Sequence, residues 1–350
     1  MNRWVFPIVA IAVAIAAFLA LGETAVRFVA PQNLSGTWFE TGPRGLVLNR
    51  ANWRARHQQG ERVVTYRFNR FHQRGGDPVD GVPPVLVLGN SFTFGWLLEE
   101  SATVPGQLQI RADAELGRGR VQFLNGATGG WELASYAAYL EAFGDRIKPA
   151  GVVVFVTAGD FPRASESGLY ASSGDGTLRS TVAPDRESWT RNLARRVPGY
   201  EWLLGHSHLI QLLRQRLVQL GQDPDAVATP GAIGWNSFSY TPTAEHKAVG
   251  RALLGRMKSW CDARRIPLLV VTHYHYNHPA DIYQWLTPAA TELGIPFLDL
   301  QPVMTATVGS DAGPYFLEDD PHPNERNNVL FAERAWRWMK PTIEAAAARP

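Results

Sequence analysis

Val85-Leu86-Val87-Leu88-Gly89-Asn90-Ser91-Phe92-Thr93-Phe94-Gly95 is the stretch that decides the fold. Four aliphatic residues in a row read as a strand buried inside a sheet. The glycines at 89 and 95 let the chain turn sharply as it leaves that strand. Ser91 is then presented at the carboxyl end of the sheet, where open α/β sheets place their sites.

Further strands are expected at 121–124, 151–157, 266–272 and 296–300. Helices are expected at 103–116, 131–143, 243–264, 279–293 and 325–348. Strands that alternate with helices argue for a parallel sheet covered on both faces. Gly151 to Thr157 is apolar enough to be buried on both sides. Residues 161–240 interrupt the alternation. A Gly/Ser-rich loop, Ser165 to Thr181, leads to apolar residues at helical spacing from Tyr200 to Leu220. This is a helical insertion, serving as a lid or docking surface or packing on the sheet edge. Residues 31–80 form an entry segment with one strand-like run, Arg62 to Phe68.

The second informative stretch is Asp319-Asp320-Pro321-His322-Pro323-Asn324. A serine hydroxyl is a poor nucleophile unless a base lies within hydrogen-bond reach and holds the right tautomer. His322 can be that base. In a single helical turn, residues three apart share a face, so Asp319 is expected to accept the Nδ1 proton of His322. Nε2 is then left for Ser91. Pro321 and Pro323 restrict the backbone around the imidazole. The α/β-hydrolase elbow does not fit, because it needs glycine two residues after the serine and this chain has Thr93. There is no Walker pattern, no GxGxxG after a strand and no HExxH.

These blocks resemble the SGNH (GDSL-like) hydrolase family over roughly residues 60–340. Gly89-Asn90-Ser91 is a variant of that family's Gly-Asp-Ser. Asp319 and His322 match its Asp-x-x-His. Gly130, in Leu124-Asn125-Gly126-Ala127-Thr128-Gly129-Gly130-Trp131, matches its glycine block, with Gly129 next. Within the family the chain is most similar to membrane-anchored bacterial members, some associated with polysaccharide O-acetylation. The resemblance implies an SGNH/flavodoxin-like three-layer α/β sandwich with a parallel sheet of about five strands. It also implies catalytic Ser91, His322 and Asp319, with an oxyanion hole from Ser91 and Gly130. The third block departs. Gly159 stands where the family has an asparagine, before Asp160. Loss of one oxyanion donor costs about 2.7–4 kcal/mol in known cases. Asn277 and Thr128 are candidate replacements, and an ionised Asp160 aimed at the oxyanion would repel it.

Composition narrows the partners. Among 350 residues, 34 basic and 32 acidic side chains give a net charge of +2, without a long basic run, so nucleic acid is not an expected partner. The single Cys261 allows no intrachain disulfide and no Cys/His zinc spacing. His206 and His208, two apart on a helix, face different sides. His273, His275 and His278 follow the fourth strand without a local carboxylate, so no metal or other cofactor is expected. Tyr274 and Tyr276 suit stacking on a sugar or lining an acyl pocket.

Trp4 to Gly22 is uncharged and about long enough to cross a bilayer as a helix. Arg3 precedes it, which leaves the N-terminus in the cytoplasm and residues after Glu23 outside the inner membrane. A cleaved signal peptide is the rival, since Ala20-Leu21-Gly22 resembles a small-x-small site. The organisation expected is an anchor and juxtamembrane helix at 1–30, an entry segment at 31–80, and an SGNH-like domain at 81–348 with the insertion at 161–240. The expected function is a tethered serine esterase or O-acyltransferase acting on an ester-bearing small molecule or cell-envelope glycan. The alternative is a catalytically weak or idle SGNH fold serving as a structural subunit of a membrane protein complex, among membrane-protein partners.

Overall fold

The computed structural model describes residues 5–35, 38–173, 177–183, 196–220, 242–318 and 320–348. Its central sheet has five strands: β1 (Pro84–Leu88), β2 (Gln122–Asn125), β3 (Gly151–Val156), β4 (Leu268–Thr272) and β5 (Phe297–Leu298). Their spatial order is β2-β1-β3-β4-β5 and every pairing is parallel. The order reverses between β1 and β3. That is the switch point at which doubly wound sheets open a crevice beyond their carboxyl ends.

Side chains alternate across the pleat, so each strand feeds two cores. Leu86, Leu88, Val152, Val154, Leu268 and Val270 pack with the helices Leu133–Ile147 and Ala244–Asp262. Val85, Val87, Val153, Phe155, Leu269 and Val271 pack with Val104–Glu115 and Glu325–Ala347. The three-layer α/β sandwich with five parallel strands is therefore present as the sequence predicts. Full burial of each such side chain stabilises by about 1.5–3 kcal/mol, which is why uninterrupted aliphatic runs are stable here.

The elements follow the expected periodicities with local differences. The helix expected at 279–293 is regular only over Leu286–Glu292, preceded by turns. The helix expected over 200–220 is two helices, Tyr200–His206 and His208–Leu220. They part at Ser207, which is extended and whose Oγ accepts from Ile210 N at 3.1 Å. A hydroxyl that caps a new helix ends the old one. The entry segment holds more strand than the sequence predicts. Phe39–Thr41 pairs with Val47–Asn49, and Arg54–Gln59 lies between Leu34–Ser35 and Arg62–Arg67 in a separate sheet.

Two compact units divide the chain. One comprises Met1–Thr37, Ala55–Thr65 and Glu187–Ile233; the other comprises Trp38–Arg54, Tyr66–Arg186 and Gly234–Pro350. The central sheet lies wholly in the second. In the first, Val5–Val29 is one helix, long and apolar enough to cross a membrane by length and composition.

Gly250 shows how closely the helical layer packs. A Cβ there would lie 2.5 Å from Cδ1 of the buried Phe161 ring. Alanine would gain about 1 kcal/mol of helix propensity, but overpacking costs typically about 1–3 kcal/mol. Gly250→Ala is predicted to lower the urea midpoint, and an unchanged or raised midpoint would contradict this packing.

Candidate active site

Ser91 is the first residue of a one-turn helix, Ser91–Phe94, that leaves the end of β1. Asn90 caps it, its Oδ1 accepting from Phe92 N at 3.0 Å. Gly95 ends it in the left-handed region, at φ 81°. Gly89 is required by space: an added Cβ would lie 2.1 Å from Thr93 Oγ1, which is itself bonded to His273 Nε2 at 2.8 Å.

His322 comes from the other end of the chain. The hairpin β6 (Phe316–Leu317) and β7 (Asp320–Pro323) carries it. Its Nε2 lies 2.8 Å from Ser91 Oγ. Its Nδ1 donates to Asp320 Oδ1 at 2.5 Å, and the same oxygen accepts from His322 N at 2.9 Å. A carboxylate on Nδ1 fixes the tautomer and leaves Nε2 able to take the serine proton. The carboxylate in this position is Asp320, where the three-residue spacing had placed Asp319. Asp319 itself lies outside the described residues. The difference is one of period: 320–323 is a strand, and in a strand residues two apart share a face. The imidazole is buried, stacked on Trp96 with centroids 5.6 Å apart and met edgewise by Phe92 at 5.2 Å.

Asp160 does not face an oxyanion. Its buried carboxylate accepts from Asn90 Nδ2 at 2.9 Å, Thr157 N at 2.8 Å, Thr157 Oγ1 at 3.0 Å, Tyr136 OH at 2.8 Å and Arg163 Nη2 at 2.8 Å. These bonds join the end of β1 to the end of β3. They also account for the asparagine of Gly-Asn-Ser, because an aspartate at 90 would set a second buried carboxylate against Asp160. Gly159 precedes that carboxylate at the start of the helix Asp160–Glu166 and offers no side-chain donor.

The glycine loop is tied to the serine turn, since Thr128 N donates to Gly89 O at 3.3 Å. Gly130 has φ 79° and open space where a Cβ would be, so its backbone angle is what calls for glycine. Thr128 is buried, its Oγ1 accepting from Asn49 Nδ2 at 2.9 Å. Asn277 is exposed on the loop after β4.

Two positioning residues escape a motif search. Arg74 is buried and donates to the carbonyls of Phe94 at 2.7 Å and Gly95 at 2.6 Å, and to that of Leu98. It thereby holds the far end of the serine turn. Its guanidinium lies over the Tyr66 ring at 4.5 Å, and burial brings its pKa down to about 10. Glu132 caps the helix Leu133–Ile147, accepting from Ala134 N at 2.6 Å and Ser135 N at 3.2 Å. Burial pushes its carboxyl up to about 7.

Of the histidine cluster, His273 is buried against Phe331 and bonded to Thr93. His275 stacks on His278 and Tyr276. Burial lowers both pKa values to about 3, and at His275 the neighbouring imidazoles of His278 and His322 lower it further. Among the described residues, no group of three or more His, Cys, Asp or Glu side chains is placed to hold a metal ion. His206 and His208 sit on separate helices.

No family model matches the sequence, and no curated protein matches it. Among solved structures the chain is similar to TesA, at 16% identity and TM-score 0.42, over 74% of this chain and 99% of that one. It is similar to the psychrotrophic esterase EstA from Pseudoalteromonas sp., at 11% identity and TM-score 0.40, over 74% and 97%. A member of the lipolytic protein G-D-S-L family from Veillonella parvula DSM 2008 aligns at 12% identity and TM-score 0.37, over 73% and 98%. At such identities and scores, the residues of this site are assigned by their own geometry.

Two predictions follow from the buried charges. Asn90→Asp is expected to destabilise by about 3–5 kcal/mol, as loss of one partner of a buried charge does. Adding Asp160→Asn should recover part of that, with a favourable coupling of about 1–3 kcal/mol in a double-mutant cycle; simple additivity would refute the pairing. The second concerns pH. A histidine held neutral when folded takes up its proton only on unfolding, so stability falls as pH drops from 6.5 towards 3. Glu132 acts oppositely between 4.5 and 7, because its carboxyl is raised in the fold. His273→Gln keeps a hydrogen-bonding partner for Thr93 and should remove up to about 1.4 kcal/mol per pH unit from the wild-type slope between pH 5 and 6.5. Equal slopes in denaturant titrations would show that His273 is not held neutral.

Proposed function

We propose that the chain is an SGNH-type serine esterase, acting through an acyl-enzyme on Ser91. The observation that carries this is the unbroken relay from Asp320 Oδ1 through His322 to Ser91 Oγ, at 2.5 and 2.8 Å. Ser91 Oγ attacks the ester carbonyl carbon while His322 Nε2 takes its proton. The resulting oxyanion is met by the backbone N–H groups of Ser91 and Gly130. Collapse breaks the ester C–O bond, and His322 returns the proton to the leaving alcohol. Water then resolves the acyl-enzyme in a hydrolase; a sugar hydroxyl resolves it in an O-acyltransferase. Asp320 orients His322 and offsets the imidazolium charge. Without the asparagine donor at 159, the turnover expected is roughly a hundred- to a thousand-fold below that of a site with all its donors.

The tether supports an ester-bearing substrate of the cell envelope, such as an acetylated glycan, on the extracytoplasmic side of a bacterial inner membrane. Retention of the N-terminal helix is favoured by its own contacts. Glu23 accepts from Ser207 Oγ at 2.7 Å, His208 N at 3.0 Å and Leu209 N at 2.9 Å. The segment around the small-x-small site is thus built into the smaller unit.

A serine-directed fluorophosphonate probe tests the reading. Wild type should label, and Ser91→Ala and His322→Ala should not. Asp320→Asn should slow labelling by about three to four orders of magnitude, whereas Asp319→Asn should stay within about tenfold of wild type, since Asp320 already occupies His322 Nδ1. A folded wild type that does not label would favour the second reading, motivated by Gly159: an SGNH fold kept as a structural subunit of a membrane complex.

A further inference from the structure

The smaller unit contains a cavity of about 640 Å³ walled by Arg27, Arg56, Trp202, His206 and His208. We propose that it takes the phosphate headgroup of an anionic glycerophospholipid. This rests on the anchor reading and is independent of the catalytic one.

Position is the first argument. Arg27 lies in the last turn of the helix Val5–Val29, five residues beyond Gly22, where the uncharged stretch ends. In a bilayer that turn sits at headgroup depth. Trp202 is 63% exposed beside the cavity, which suits an indole at the membrane–water boundary.

Chemistry is the second. The described residues lining the cavity include two guanidinium groups and two imidazoles; no described carboxylate lines it, and Glu23 pairs with Arg27 from outside the lining at 3.0 Å. The arginines are already oriented. Arg27 Nη2 donates to His206 O at 3.2 Å and to Glu23 at 3.0 Å, and Arg56 Nη1 donates to Gly205 O at 2.9 Å. Both are thus anchored at the end of one short helix. His208 Nδ1 accepts from Gln32 N at 2.8 Å, which puts its proton on Nε2. His206 Nδ1 bonds Trp202 O at 2.8 Å, with its ring stacked on the indole at 4.5 Å. Preoriented guanidinium donors match phosphate oxygens in geometry as well as charge. Val63 and Leu34 supply apolar wall for the glycerol and the first acyl carbons.

The test uses the full chain in nanodiscs of mixed phosphatidylglycerol and phosphatidylcholine, with retained lipid counted by native mass spectrometry. Wild type should retain phosphatidylglycerol over phosphatidylcholine by about tenfold, below the roughly thirtyfold of two unpaired basic side chains because Glu23 pairs with Arg27. Arg27→Gln/Arg56→Gln should abolish the preference while disc integration and thermal unfolding stay as in wild type. No preference in wild type, or one that survives the double substitution, overturns the proposal. So does arginine-dependent binding of inorganic phosphate in detergent without any lipid preference, which would make the ligand a free anion. A chain recovered from cells in soluble form beginning at Glu23 removes the anchor and the proposal together. Absence of Ser91 labelling with the lipid preference intact counts against the esterase reading alone.

Discussion

The site depends on one buried carboxylate. Asp160 receives donors from Asn90, Thr157, Tyr136 and Arg163, and so ties the ends of β1 and β3 to the helix Leu133–Ile147. A buried charge without partners would cost several kcal/mol, whereas a saturated one draws its surroundings into a single arrangement. That arrangement is the turn presenting Ser91. Asn90, beside the serine, and Asp160, at the end of β3, meet at this carboxylate. The serine turn is supported there, and the adjoining Gly159 offers no side-chain donor.

The other end of the turn is held by a different kind of contact. Arg74 binds backbone carbonyls, so its anchorage depends on the path of residues 94–98 and not on their side chains. The imidazole is confined by rings, between Trp96 and Phe92, as well as by the Asp320 carboxylate on its Nδ1. Ser91, His322 and Asp320 are thus each fixed by a separate device: a capped turn, an aromatic clamp and a strand register. Separate supports of this sort keep a relay preorganised.

Much of this was legible in the sequence. Aliphatic runs alternating with helical periods determine the layers, because burial on both faces leaves no other reading for Val152 to Val156. Ser91 and His322 were legible because glycines permit a sharp turn beside the one and prolines restrict the backbone beside the other. The carboxylate partner was not. Asp319 and Asp320 are neighbours, and choosing between them needs the local period, which two prolines conceal. Arg74 carries no sequence signal, since its partners are carbonyls 20 to 24 residues away. The break at Ser207 was hidden for a related reason: Glu23, which also binds the new helix's first amides, lies 184 residues earlier.

That last contact bears on how a water-soluble form should be made. Hydropathy alone suggests excising the chain up to residue 22 or 30. The first cut sets a new ammonium terminus on Glu23. The second removes Glu23 and leaves Ser207 Oγ, His208 N and Leu209 N without this acceptor at the start of the helix His208–Leu220. The outward side chains Phe6, Ile8, Ile11, Ile15 and Phe18 are all exposed. Replacing them with polar residues would lower the exposed apolar surface of this helix while leaving Glu23 in place.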